Sequence, residues 1–108
     1  MLRDDAVKVG KEVAKEHAAG SALPSMATHP LGDRVGHLLL EAYRAQGASA
    51  AAAVVDGYLE GFNEVRRAIH AAELQPIDVA NGVKFSVANT ELSKAEQSSV
   101  REAFLNMR

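Results

Sequence analysis

The sequence contains no cysteine and no tryptophan, and only 5% of its residues are aromatic. The absence of cysteine excludes a disulfide framework, a cysteine-ligated zinc site and a thiol nucleophile. Hydrophobic residues make up 47% of the chain, but many of them are alanine, so large side chains are scarce. This composition predicts a domain that is stabilised by close helix packing rather than by large buried anchors.

Other features that the chain lacks narrow its class further. No uncharged apolar run is long enough to cross a membrane, and the charged N-terminus lacks the apolar core of a secretory signal. A net charge of −2 supplies no basic surface for a nucleic-acid backbone. At 108 residues the chain has the length of one domain. We therefore expect a single cytoplasmic domain, 1–108, with neither a membrane nor a nucleic-acid partner.

Hydrophobic periodicity predicts a mainly α fold of about four helices. The first helix occupies most of 1–20 and presents a narrow stripe of small residues, so we expect it to dock loosely. A second helix is predicted from Asp33 to about Gln46. A capping box at Ser93 and Glu96 begins the last helix.

The connection 21–32 between the first two helices is long and unusually apolar. One interpretation is that its large side chains pack on the core and hold the loop down. The other interpretation is a loop that binds a partner. The side chains concerned are Leu23, Met26 and Leu31.

A long central helix, predicted over 48–73, is the most informative element because it contains Gly57 and Gly61. A glycine inside a helix costs about 1 kcal/mol relative to alanine, so this pair indicates close approach of another helix. The glycines belong to a stripe of small residues beside the large apolar face of the helix. The large face comprises Val55, Tyr58, Phe62, Val65 and Ile69, and the small stripe comprises Ala50, Gly57, Gly61 and Ala68.

Two buried stripes on one helix predict self-association, because so short a chain has few elements with which to cover both. We expect a homodimer with the small stripe at its interface. Leu40 points away from the apolar face of the second helix. It is either a further partner contact or a single exposed leucine.

After Pro76 the pattern changes from helical to alternating, which predicts a short β-hairpin near 77–87. A three-residue loop at 80–82 would place the apolar residues opposite one another. The resulting apolar face would pack on the helices or join a sheet across the dimer. These apolar residues are Ile77, Val79, Val83, Phe85 and Val87.

No residues are assigned to catalysis, a cofactor or a metal. The histidines His17, His29 and His70 have no nucleophile or acidic partner at a recognisable spacing, and no phosphate-binding glycine motif occurs. Adjacent Arg66 and Arg67 are the densest basic spot and could hold an anion together with Arg44, but we expect them to form salt links to Glu64 and to be solvated. Two rows of charged residues lie opposite the apolar faces of their helices and predict a solvated surface rather than a metal site. The rows are Asp33, His37 and Glu41, and Asp56, Glu60 and Glu64.

These patterns favour a non-enzymatic, homodimeric protein-interaction module that binds and regulates another protein by sequestering, inhibiting or adapting it. A transcription factor is one such partner. The alternative is a small-ligand or metal-binding protein, or an enzyme, with a pocket between helices at a subunit interface. Its first candidate residues would be His17, His29 and His70.

Overall fold

The chain folds as helices packed around one central helix, and 86% of the described residues are helical. The mainly helical part of the fold prediction is therefore confirmed. The computed structural model describes residues 2–16, 31–77, 79–81 and 92–107, with side chains for all of these except 31–34. The helices are α1 (Leu2–Glu16), α2 (Leu31–Gln46), α3 (Ala48–Ala68), α4 (76–77 and 79–81) and α5 (Lys94–Asn106).

The central helix α3 packs against α1, α2 and α5. Its large apolar face carries Val55, Tyr58 and Phe62, all of which are buried. The Tyr58 and Phe62 rings stack with their centroids 5.9 Å apart, a spacing within the usual range for aromatic pairs. The other helices complete the core with Val13, Val35, Leu39, Val100 and Phe104.

The contact between α1 and α3 is the most extensive one between described helices. A Cβ atom on Gly61 would overlap the Val7 carbonyl oxygen, and one on Gly57 would lie 2.7 Å from the Arg3 carbonyl oxygen. The contact positions thus advance in the same direction along α1 and α3, so the two helices run parallel. The glycines allow the backbones to approach as the sequence predicts.

A third glycine contributes to this contact from α1. A Cβ atom on Gly10 would overlap the Tyr58 carbonyl oxygen and lie 2.8 Å from the Phe62 nitrogen. Gly10 is flanked at four-residue spacing by Ala6 and Ala14, which are both fully buried. Small residues at every fourth position therefore give α1 a surface complementary to the glycines of α3, and the expected loose docking is not observed.

This packing changes the argument for a homodimer. Because α1 covers Gly57 and Gly61 within one chain, their close approach does not require a second subunit. Elsewhere in the predicted interface, Ala50 and Leu40 are half-buried and Ala68 is exposed. The homodimer stays a prediction.

The predicted β-hairpin near 77–87 is wrong, because its first arm is helical and the described residues contain no strand. Val79 and Ala80 are adjacent and both fully buried, whereas a strand with one apolar face would alternate. Pro76 occupies the first helical position, where its fixed φ favours a helix start. The predicted second arm lies outside the described residues, at Val83, Phe85 and Val87.

The central helix also ends earlier than predicted, at Ala68 rather than at residue 73. His70 adopts a left-handed φ of 57°. The Ala71 N–H donates to the Arg66 carbonyl at 2.9 Å, and the His70 N–H donates to the Arg67 carbonyl at 3.1 Å. This pair of bonds terminates a helix at a left-handed residue. The usual glycine signal is absent, so the sequence pattern did not reveal the end.

The second helix begins at Leu31 rather than at Asp33. The last two residues of the predicted connection 21–32 are therefore helical. Leu23 and Met26 lie outside the described residues, as does the side chain of Leu31. Packing on the core and partner binding both remain predictions for this segment.

The capping box that begins α5 is present. The Ser93 hydroxyl accepts a hydrogen bond from the Glu96 N–H at 3.1 Å, and the Glu96 carboxylate accepts one from the Ser93 N–H at 3.0 Å. Hydrogen bonds from the Ser93 backbone and side chain lower the pKa of Glu96 below its ordinary 4.5, and a hydrogen bond from Tyr43 on α2 lowers it further. The same carboxylate therefore caps α5.

Alanine substitution of the three interface glycines tests the close approach. Gly61→Ala and Gly10→Ala are each expected to lower the free energy of unfolding by about 1–3 kcal/mol, because overpacking outweighs the gain in helix propensity. Gly57→Ala should cost less than Gly61→Ala, because its Cβ would lie 2.7 Å from the Arg3 carbonyl oxygen, which is farther than the Cβ of Gly61 would lie from the Val7 carbonyl oxygen. Urea unfolding followed by circular dichroism provides the measurement.

Ala45→Leu is the control, since it adds a larger side chain at an exposed position of the neighbouring helix α2. Its free energy of unfolding should stay within about 0.5 kcal/mol of the parent protein. Equal stabilities for the three glycine variants and this control would contradict the packing described above.

The capping carboxylate predicts a pH effect. Because the folded pKa of Glu96 is lowered, its stabilising effect is present above the ordinary pKa and is lost as pH falls through the folded value. Glu96→Gln keeps a capping side chain but cannot titrate, so the fall in Tm between about pH 5 and about pH 3 should become shallower. Glu102→Gln removes an exposed carboxylate of α5 and should leave that slope nearly unchanged. An identical slope for both variants would refute the effect.

Candidate functional site

An open groove of about 520 Å³ lies between one face of α3 and the segment that follows this helix. Its volume is within the range of ligand-binding sites, and it is the candidate functional site. The wall from α3 comprises Asp56, Leu59, Glu60, Asn63, Glu64 and Arg67, and the opposite wall comprises Glu73, Leu74, Gln75 and Pro76.

The α3 wall forms because its residues recur at spacings of three and four, which places them on one helical face. Leu59 and Leu74 are 3% and 2% exposed, so they form an apolar floor that is largely covered. The carboxylates of Glu60 and Glu64 stand at the rim, with 55% and 58% of their side-chain surface exposed. The groove therefore combines an apolar base with an acidic edge.

Asn63 fastens the two walls together. Its Nδ2 donates to the Leu74 carbonyl oxygen at 3.0 Å, and its Oδ1 accepts from the Leu74 N–H at 2.7 Å. Leu74 is buried and non-helical, and both of its backbone groups thereby have hydrogen-bond partners. The asparagine sets the separation of the walls.

Arg66 holds the same segment from the interior. It is fully buried, its Nε donates to the Ala72 carbonyl oxygen at 2.8 Å, and its guanidinium lies 6.0 Å from the Phe62 ring centroid. This distance permits a cation–π contact. The expectation of a solvated Arg66 is wrong. Its position four residues after the buried Phe62 was the available sequence signal.

The neighbouring arginine faces the groove. Arg67 is exposed, and its Nη2 lies 2.7 Å from Glu73 Oε1. The hydrogen bond to Glu73 raises the pKa of Arg67, so its charge is retained. This ion pair connects the rims of the two walls.

The acidic row of α3 is paired with α1. Arg3 Nη2 lies 3.1 Å from Asp56 Oδ2 and also bonds Glu60, and Lys11 Nζ lies 3.4 Å from Glu64 Oε2. Hydrogen bonds to Glu60 and Asp56 raise the pKa of Arg3. Glu60 and Glu64 are exposed, as predicted, but only 18% of the Asp56 side chain is exposed, and all three carboxylates also anchor a neighbouring helix.

The acidic and histidine row of α2 does not join this site. His37 and Glu41 are exposed, and the side chain of Asp33 lies outside the described residues, as do His17 and His29. His70 is exposed and does not line the groove. In the described ranges, no three His, Asp or Glu side chains form a group that could hold a metal ion.

No family model, curated protein or solved structure matches the chain. Within the described part of the chain, no helix combines the length and the apolar character needed to span a bilayer. Function is therefore inferred from the groove itself.

Asn63→Ala is expected to lower the free energy of unfolding by about 1–3 kcal/mol, because it leaves both backbone groups of buried Leu74 without their partner. Hydrogen exchange of the Leu74 amide should also become faster. Urea unfolding and amide-exchange mass spectrometry measure the two effects. Asn106→Ala, at an exposed position of α5, is the matched control and should be nearly neutral. Equal effects of the two substitutions would show that Asn63 does not hold the groove together.

Proposed function

We propose that this protein is a non-enzymatic protein-interaction module whose groove binds a segment of another protein and thereby regulates it. The groove supports this function because it joins an apolar floor to a charged rim, the arrangement typical of protein recognition surfaces. Binding would sequester, inhibit or adapt the partner, for example a transcription factor. The proposed location is the cytoplasm.

The construction of the groove also favours binding. One wall is a helix, and the other is held to it by Asn63 and Arg66. A site that is already ordered loses little conformational entropy when a ligand enters. Because the groove is small, we expect a weak or transient complex rather than an obligate one.

A homodimer belongs to the same proposal, although Gly57 and Gly61 are covered by α1. The surface left for a second copy includes exposed Ala68 and its neighbour Ile69, which is 44% exposed. Half-buried Leu40 and Ala50 could contribute at its margins. Light scattering that returns only the 11.5 kDa mass of one chain at all concentrations would remove the dimer from the proposal.

Neutralising the rim tests the role of the groove. Glu60→Gln with Glu64→Gln should lower capture of the partner from a native-host lysate by about three- to tenfold, since each charge contributes up to ~1 kcal/mol. Affinity purification with quantitative mass spectrometry measures the loss. Glu12→Gln with Glu102→Gln removes two exposed carboxylates elsewhere and should preserve capture. Equal capture of the same protein by both double variants would exclude the groove as its binding surface.

The volume of the groove also fits a small-ligand-binding function. This alternative differs from the one predicted, because the groove lies within one subunit and not between two. Elemental analysis of the purified protein and a thermal-shift screen with metal ions and nucleotides separate the two functions. Stoichiometric metal or a large shift would favour the ligand-binding protein over the interaction module.

A further inference from the structure

The carboxylates at the acidic edge of the groove already form ion pairs with basic side chains of α1. Arg3 bonds Asp56 and Glu60, and Lys11 bonds Glu64. Arg3 and Lys11 are eight residues apart, slightly more than two helical turns. Within the chain itself, α1 thus shows how basic residues at helical spacing match the carboxylate row.

These ion pairs are open to exchange. Only 18% of the Asp56 side chain is exposed, but the value is 40% for Arg3 and 55% for Glu60. Exposed pairs contribute between zero and ~1 kcal/mol, and an ionised carboxylate has further lone pairs for a second donor. A positively charged group that enters the groove can therefore displace Arg3 from Asp56 and Glu60, or share these two carboxylates with it.

The lining of the groove indicates which ligand carries that cation. Among the described residues, the lining contains four carboxylates, Asp56, Glu60, Glu64 and Glu73, and the guanidinium of Arg67. Arg3 and Lys11 of α1 pair with three of these carboxylates, so four negative charges meet three positive ones and a net charge of −1 remains. The floor between them is apolar, but its leucines are at most 3% exposed. Charge complementarity thus favours a basic ligand, and the nearly covered floor leaves only a small surface for its apolar side chains.

We propose that the groove binds a basic amphipathic segment of a partner protein, and that this segment competes with Arg3 for Asp56 and Glu60. This inference rests on the proposed function. The cations of the segment lie along the acidic edge and beside Glu73, and its apolar side chains lie over Leu59. Because the same carboxylates serve both contacts, binding of the segment and docking of the first turn of α1 weaken each other.

The rest of α1 stays in place during this exchange. The packing at Gly10 and Gly61 does not involve the Arg3 side chain, so competition affects the N-terminal end of the helix alone. Since little apolar surface is available, the affinity of the segment depends mainly on charge. It should therefore decrease as salt screens the carboxylates.

A fluorescein-labelled peptide of about twelve residues, with leucines at helical spacing and lysines between them, is the probe. Its Kd is measured by fluorescence anisotropy for the full chain and for Arg3→Gln and Lys8→Gln. Both variants remove one positive charge from α1, and Lys8 is exposed on the same helix. Arg3→Gln should bind the peptide about three- to tenfold more tightly than Lys8→Gln, and this difference should shrink at about 0.5 M salt.

Glu73→Gln provides a second test that leaves the Arg3 contacts intact, and it should weaken binding by about two- to fivefold. Equal affinities of Arg3→Gln and Lys8→Gln for a peptide that the parent binds would overturn the competition while the proposed function stands. If the parent protein does not bind the peptide, or binds a peptide with glutamates in place of lysines equally well, the inference that the groove binds a basic segment is wrong. The proposed function fails separately, when capture from lysate does not depend on the rim carboxylates.

Discussion

The close contact of α1 with α3 is the constraint on which the rest of the structure depends. At Gly10, Gly57 and Gly61 the two backbones approach too closely for any side chain to fit between them. Many short contacts between backbone atoms replace the few large contacts that aromatic side chains would supply. This explains how a chain with so few aromatic residues forms a core. It also brings Arg3 and Lys11 to the carboxylates of α3.

The groove depends on a second local event, the early end of α3. Left-handed His70 stops the helix, and the chain then turns back along the face from which Asn63 projects. Asn63 and buried Arg66 satisfy backbone groups of the returning segment. Polar side chains of α3 thus fix the non-helical wall of the groove. The acidic rim on the same helix stays accessible. The structural and the candidate functional roles of α3 share one surface.

Charge has two uses at this surface. The carboxylates of α3 fix the N-terminal end of α1, and their exposed oxygens face the groove. Because exposed ion pairs are weak, the close packing at the glycines and the buried Ala6, Val13 and Ala14 must supply most of the attachment of α1. Because packing holds α1 in place, the carboxylates can exchange partners while the helix stays docked. This exchange is the physical basis of the proposed regulation.

Local patterns in the sequence were sufficient for the mainly helical class, for the capping box at Ser93 and for the close approach at Gly57 and Gly61. These features depend on residues within a few turns of one another. The hairpin prediction failed because a short alternating run after a proline also fits the start of a helix. The groove escaped prediction because it requires knowing where the chain returns after α3. Periodicity shows that a helix needs a close neighbour, but packing between distant segments selects α1 as that neighbour. The small residues Ala6, Gly10 and Ala14 of α1 let the two backbones touch.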